Sequence, residues 1–407
     1  MLPTIRFIHT ADLHLDSPFK GMTGLPMEAL RQLRESTFTA FTNLIHYALE
    51  TKPDFVVIVG DIYDGDDRSL RAQHRFQEGM KKLHEADILV FISYGNHDHL
   101  SGRWTRFELP PNVHVFDGDV GQAEIEIRGQ VVVIHGFSYP ERHIREAMIE
   151  RFPVAETNEA FHIGMLHGSL AGDTSHAIYA PFTKEALLSK RYDYWGLGHI
   201  HLRQQLHAEP PIVYPGNIQG RHRNERGWKG FYEVTLTKTD AELKFIRTSA
   251  VVFDRLEISC EGMSHANEWF AACSEAIDMF KTTYPAGIVE LTMIDIDQEA
   301  VDLFSQSTEE EWLDVLREFI EESDPFVWVH KISFAPQTTD HTMSNALAQS
   351  IVTVMDSWTE DEWKIVLKDV YQHTRGVKYL DVLTEDEIKE IQTDAEKVLA
   401  AEMTELN

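Results

Sequence analysis

Phe55-Val56-Val57-Ile58-Val59-Gly60-Asp61-Ile62-Tyr63-Asp64 is a run of five apolar residues that halts at a glycine and at once delivers a carboxylate. A short apolar run bounded by a turn residue reads as a strand. Four other segments repeat the arrangement: Ile5–His9 leads to Asp12-Leu13-His14, Ile88–Ser93 to Gly95-Asn96-His97-Asp98, Phe161–Leu166 to His167-Gly168, and Tyr194–Leu197 to Gly198-His199-Ile200-His201. Amphipathic stretches lie between the early strands, Met27–Glu50 and Leu70–Glu85, the first keeping Leu30, Leu33, Phe38, Phe41, Leu44, Ile45 and Ala48 at helical spacing. Further strands are expected at Val131–His135, Phe231–Leu236 and Leu243–Arg247. Strands alternating with amphipathic helices describe a layered α/β domain over residues 1–250.

Ligand sites of open α/β sheets lie beyond the carboxyl ends of the strands, so the residues after these five strands are expected to converge. Mixed imidazole, carboxylate and amide donors suit Mn²⁺, Fe²⁺ or Zn²⁺ better than Mg²⁺. They are too numerous for one ion. Two ions ~3.5–4 Å apart, bridged by a carboxylate, fit the set and suit phosphoester hydrolysis by in-line attack of a metal-held hydroxide. Gly60, Gly95, Gly168 and Gly198 let the backbone pass close to such ions. Each motif alone is weak; the specificity lies in five of them, in this order, each at a strand end.

The chain has 407 residues, which at ~100–200 residues per domain predicts two or three domains. Its longest apolar runs fall far short of the ~18 residues that span a bilayer, so no membrane role is expected. Met1–Leu13 lacks the layout of a secretion signal, and Cys260 and Cys273 read as buried small hydrophobes of a reducing, cytoplasmic protein. The charge of −29 is unevenly spread: residues 1–250 hold 27 Lys and Arg against 32 Asp and Glu, and residues 251–407 hold 10 against 34. A polyanionic substrate is therefore expected to meet the N-terminal part, which also holds 17 of the 21 histidines.

From Val251 the pattern becomes strand Val252–Ile258, helix Ser264–Lys281, strand Ile288–Ile294, helix Ser307–Glu322 and strand Phe326–Phe334, a small α+β module over residues 251–336. Ser307 with Glu310 is expected to form a capping box. Residues 337–407 read as helical, ending in Thr384–Leu399, whose apolar stripe is Ile388, Ile391, Ala395, Val398 and Leu399. Arg221, Arg223, Arg226 and Lys229 form a local basic patch in the sequence. His9, His46, His74, His84, His135 and His162 fall inside expected strands or helices and are given no chemistry.

Taken together, Asp12-Leu13-His14, Gly60-Asp61-Ile62-Tyr63-Asp64, Gly95-Asn96-His97-Asp98, His167-Gly168 and Gly198-His199-Ile200-His201 resemble the calcineurin-like metallophosphoesterases. Among these the chain resembles the SbcD-type DNA repair exonucleases, most closely their YhaO-like branch. The resemblance extends through Tyr214-Pro215-Gly216-Asn217-Ile218-Gln219-Gly220-Arg221-His222 and, more loosely, through the α+β module, which corresponds to a capping domain. It implies a four-layer α-β-β-α sandwich and two divalent metals, Mn²⁺ foremost. Asp12, His14 and His201 would hold one ion, Asn96, His167 and His199 the other, and Asp61 would bridge them. His97 would face the scissile phosphate and serve the leaving oxygen, with Asp98 orienting its ring. Some relatives carry a second histidine where this chain has Asp64. The Asp-Arg-Gly of phosphoprotein phosphatases is absent, Asp64-Gly65-Asp66 standing in its place, which favours a phosphodiesterase; Arg68 or Arg71 is a candidate substitute. The implied partners are DNA and an SbcC-like (YhaN-like) ATPase docked on the C-terminal helix, with a homodimer left open. Rival readings are a metallophosphoesterase of small nucleotides and a non-catalytic ATPase adaptor.

Overall fold

β1 (Ile5–Thr10) and β2 (Phe55–Val59) pair in parallel, Phe7 opposite Phe55, so the chain between them must cross over, and it does so as α1 (Met27–Thr51). The computed structural model describes residues 4–334 except 20, 21, 23, 66–68, 103–106, 157–158, 172–178 and 321–324, and beyond them residues 354, 358, 362, 363, 366, 391 and 395. The chain divides into two compact units, Met1–Ala335 and Pro336–Asn407. In the second, the Trp358 and Trp363 rings meet edge to face at 5.1 Å, and Ile391 and Ala395 are helical. The rest of Thr384–Leu399 lies outside the described residues.

α2 (Leu70–Glu85), capped by the Ser69 hydroxyl accepting from the Ala72 N–H, leads to β3 (Leu89–Ser93), with β4 (Val113–Val115) alongside. The chain then builds a second sheet from β5 (Gly121–Ile127), β6 (Gln130–Gly136), β7 (Phe161–His167), β8 (Tyr194–Gly198), β9 (Gln204–His207) and β10 (Ile212–Tyr214), with the short α3 (Lys184–Ser189) before β8. Its order is β5-β6-β7-β8-β10-β9. β11 (Gly230–Leu236) and β12 (Ala241–Arg247) return to the first sheet, ordered β12-β11-β1-β2-β3-β4.

Residues alternate between two cores. Phe7, Phe55, Val57 and Phe91 face Val132, Ile134, Ile163, Met165 and Tyr194 between the sheets, where the Phe7 and Phe55 rings stack at 4.9 Å. Ile8, Val56, Ile58 and Ile92 turn the other way, onto Phe41, Leu44 and Phe76 of α1 and α2. Trp195, Phe137 and Phe152 bury the outer face of the second sheet under α3 and the Met148–Arg151 turn. The result is an α-β-β-α sandwich. Truncating one of the buried phenylalanines costs ~3–5 kcal/mol, enough to threaten a fold of ordinary marginal stability.

β13 (Val252–Ser259), α4 (Ala266–Thr283), β14 (Gly287–Ile294), α5 (Gln298–Phe304), α6 (Glu309–Phe319) and β15 (Val327–Phe334) complete the first unit as a three-stranded parallel sheet with its own core around Trp269, Leu291 and Leu316. Two local expectations change here. Thr308 and Glu311, one residue later than expected, form the capping box of α6, and the helix ends at Phe319. β4, β5, α3, β9, β10 and α5 have no counterpart in the sequence reading. β5 is Gly-Gln-Ala-Glu-Ile-Glu-Ile with exposed glutamates on an edge strand, a composition that gives no apolar run. Cys260 and Cys273 are buried and free.

Candidate metal centre

Three of the strands that lead to the site, β1, β2 and β8, are followed by residues that leave extended geometry. Asp12, His14 and Asp61 sit at φ 52°, 41° and 50°, and His199 at 97°. A side chain at positive φ costs of order 1–3 kcal/mol and persists only where its surroundings impose it. Hydrogen bonds impose it here: the Asp12 N–H donates to the Gly60 carbonyl at 3.1 Å and the His14 N–H to the Asp61 carbonyl at 3.0 Å. The Asp98 carboxylate accepts from the N–H groups of Gly95, Asp61 and Ile62 at 2.6, 3.2 and 2.7 Å, clamping two motif loops together. Those three bonds tie Asp98 to the backbone of both loops, and the Asp64 carboxylate lies beside the His97 ring, 3.5 Å from Nδ1.

Small residues let the loops close. A Cβ on Gly95 would stand 2.3 Å from Asp61 Oδ1 and 2.7 Å from His167 Nε2. Gly60 is doubly constrained, by φ 80° and by the His167 ring, whose Nδ1 would lie 2.1 Å from an added Cβ. The Tyr139 and Tyr214 hydroxyls donate to the His167 and Gly168 carbonyls at 2.8 and 2.6 Å, fixing the end of β7.

Within this frame the donor atoms converge. His14 Nε2 and His201 Nε2 face each other at 3.0 Å, and with Asp12 they offer donor atoms all within 4.8 Å of one another. Asp12, Asp61 and His167 form a second such group. Asp61 Oδ2 lies 3.8 Å from His14 Nε2 and 3.5 Å from His167 Nε2, so a single oxygen faces both groups. Asn96 Oδ1 is 3.0 Å from His167 Nε2. His199 donates its main-chain N–H to both Asp12 oxygens at 3.1 Å, and its ring lies against those of His167 and Tyr179, at 5.3 and 5.0 Å between centroids.

Electrostatics favour a cation here. Asp12 and Asp61 are buried, and neither makes an ion pair with Lys or Arg among the described residues. Burial pushes Asp12 up to about 6 against the pull of His167 and His201. Burial would lower His167, but Asp61 and Asp12 overcome it and raise the ring to about 9. Burial likewise opposes ionisation of Asp61, yet the neighbouring imidazoles, His167 first, hold it well below the usual carboxylate range. Metal ions carry the positive charge such carboxylates need and compete with protons for the same imidazole nitrogens. The donor set therefore fits divalent ions.

Glu225 escaped the sequence reading. Its Oε1 accepts from His201 Nδ1 at 2.6 Å, and Oε2 accepts from Asn217 Nδ2 at 2.6 Å and the Arg221 N–H at 2.7 Å. A carboxylate behind a histidine fixes its tautomer and leaves Nε2 free to ligate. Its signal is the loop that follows the Tyr214-Pro215-Gly216-Asn217 motif. The basic patch of that loop is not a free surface: Arg221 pairs with Asp64, Arg226 with Glu290 at 3.5 Å, and Lys229 is buried. Arg71 is spent on α1, paired with Glu35 and lying over the Phe38 ring; Arg68 is outside the described residues.

Two sheets in an α-β-β-α sandwich, with acids and histidines gathered beyond their strand ends, define a metallophosphoesterase. Residues 5–203 match the calcineurin-like phosphoesterase family, and the chain belongs to that family. It is 34% identical to the uncharacterized metallophosphoesterase YhaO of Bacillus subtilis, with 100% of each chain covered. It is 27% identical to the DNA double-strand break repair protein Mre11 of Methanocaldococcus jannaschii over 64% of this chain and 69% of that one. The chain is a hydrolase of phosphoester bonds in a family that uses divalent metals. Among the described residues no helix is long and apolar enough to cross a membrane.

Proposed function

We propose that this chain is a DNA phosphodiesterase of the exonuclease type, dependent on two divalent ions, with Mn²⁺ the native metal, acting in DNA repair. The observation that carries the reading is the Asp61 oxygen facing both His14 and His167, the geometry a bridging carboxylate requires. Asp12, His14 and His201 would hold one ion and Asn96, His167 and His199 the other. Bound there, the ions supply Lewis-acid stabilisation of charge on a phosphoryl group.

The chain's own residues do the rest. His97 Nδ1 accepts the Gly65 N–H at 3.2 Å, so the neutral ring carries its proton on Nε2. Burial, aided by Arg221 and opposed by Asp61 and Asp64, lowers the pKa of His97 and keeps it neutral near pH 7. A neutral imidazole 26% exposed at the rim of the cluster donates a hydrogen bond to a departing oxygen. The likeness to Mre11 supports DNA as the substrate. An excess of 24 acids over bases in residues 251–407 favours a second reading, a small nucleotide substrate.

End-labelled linear DNA, circular DNA and nucleotide esters incubated side by side with Mn²⁺ separate the two. The reading expects linear DNA to be degraded from its ends; cleavage of nucleotide esters alone sinks it. An SbcC-like ATPase is the proposed partner, docked by residues 384–407, which carry eight acids and two lysines. Deleting them should abolish co-purification with the ATPase and spare nuclease activity on short DNA; co-purification that survives the deletion rejects the docking role.

A further inference from the structure

Arg221 holds a place in the site that metal binding does not explain. Its Nη2 donates to both oxygens of Asp64 at 3.0 Å, its Nε donates to the Ser17 hydroxyl at 3.1 Å, and that hydroxyl donates to Asp64 Oδ2 at 2.9 Å. A guanidinium has five N–H donors. Three are used by these bonds, and both N–H groups of Nη1 are without a hydrogen bond among the described residues. The main chain is fixed too, by the Arg221 N–H on Glu225. A long side chain is thus ordered before any substrate arrives, which cuts the entropic cost of binding.

The clamp sits beside the reacting centre. Asp64 Oδ1, which takes Nη2, is 3.5 Å from His97 Nδ1 and 3.7 Å from His14 Nδ1. One carboxylate oxygen therefore gathers the guanidinium, the ring expected to serve the leaving group and a metal-cluster histidine. Arg221 and His97 are 20% and 26% exposed, and His201 is 24% exposed, so all three lie on the open side of the cluster, above the buried Asp12, His14, Asp61 and His167.

We propose that Arg221 forms a phosphate subsite, Nη1 donating to a non-bridging oxygen of the scissile phosphodiester while Asp64 and Ser17 hold the guanidinium in place. The proposal rests on the phosphodiesterase reading above and names the group that holds the substrate's anionic oxygen. Planar N–H donors match phosphate oxygens. The bland alternative is that Arg221 merely neutralises Asp64, and the neutral pair Asp64→Asn/Arg221→Gln separates the two.

The test uses the full chain loaded with Mn²⁺, as wild type, Arg221→Ala, Arg221→Lys and the neutral double variant. Bound Mn²⁺, the Kd for inorganic phosphate, and KM and kcat on bis(p-nitrophenyl) phosphate are measured for each. Arg221→Ala should keep its metal, bind phosphate about tenfold or more weakly, as loss of a charge-assisted hydrogen bond implies, and recover partly in millimolar methylguanidinium. Arg221→Lys should fall between, and the double variant should stay as weak as Arg221→Ala. Phosphate affinity within threefold of wild type, restoration by the double variant, or loss of Mn²⁺ from both single variants overturns the subsite. Should Arg221→Ala fail to fold, Arg221→Lys and the double variant decide by the same comparison. A wild type that binds phosphate through Arg221 yet cleaves no phosphodiester sinks the functional reading and leaves the subsite standing.

Discussion

Replacing Glu225 by glutamine removes one charge and almost no volume, so its effect isolates what the carboxylate does for His201. Both oxygens are committed, Oε1 to His201 Nδ1 and Oε2 to Asn217 and the Arg221 N–H. A glutamine side chain has only one oxygen. Whichever way its amide turns, its NH₂ confronts either the His201 N–H or two loop N–H donors. A buried donor left without its acceptor costs about 1–3 kcal/mol, a range that agrees with the ~10–100-fold loss of metal affinity seen when the group behind a ligating histidine is removed. Titration of metal-free protein with Mn²⁺ against a competing chelator should show that loss at one of two sites, the other staying near its wild-type affinity. Thermal melting of the metal-free chain should fall by several degrees, at ~2–4 °C per kcal/mol in a domain of 150–250 residues. Unchanged affinity at both sites in a folded Glu225→Gln protein would show that the Glu225 carboxylate does nothing for His201 as a ligand.

His97→Ala should abolish phosphodiester cleavage with bound metal nearly unchanged, since the His97 ring, although it gathers with His14 and Asp64 as a third possible donor group, has its Nδ1 occupied by the Gly65 N–H; metal analysis of the purified variant decides, and loss of both ions would make His97 a ligand. Gly95→Ala should lose metal and activity because its Cβ would stand 2.3 Å from Asp61 Oδ1, whereas Gly129→Ala, with nothing within 4 Å of its Cβ, should lose neither and change only stability. His9, buried against the Tyr194 hydroxyl and the Leu197 carbonyl, has its pKa lowered by burial to about 3. The unfolded chain takes up that proton near pH 6.5 and the native chain does not, so the contribution is complete above pH 6.5 and is lost towards pH 3, at up to ~1.4 kcal/mol per pH unit. Urea midpoints of His9→Asn at pH 7, 5 and 4 should fall less steeply than those of wild type.

The catalytic half was legible because its chemistry sits where strands end. Phe55–Val59 and Leu70–Glu85 have the bounds expected of them, and Asp12, Asp61 and His167 were visible as the residues where apolar runs stop. Edge strands such as Gly121–Ile127 were not visible, because one face is exposed, the other only half-buried, and glutamates break the apolar run. Glu225 and Arg221 lie in a loop after a three-residue strand, and periodicity does not reveal a carboxylate that reaches back to His201 or a guanidinium that reaches back to Asp64. Their partners are 24 and 157 positions away, and side-chain contacts over such separations leave no local pattern. The four-cation run at 221–229 misled for the same reason: the sequence displays charge and conceals which carboxylate consumes it.

Two divalent ions gathered around Asp61 are proposed to turn this chain into a DNA phosphodiesterase. Cleavage of end-labelled linear DNA, followed as Mn²⁺ is added in counted equivalents to the metal-free protein, tests this most directly. Activity should be absent in the metal-free chain, remain low with one equivalent and rise to its plateau with the second, and Asp61→Ala should disturb both ions and stay inactive throughout. Full cleavage by the metal-free chain, or no cleavage of DNA with two ions bound, would rule out a dinuclear DNA phosphodiesterase.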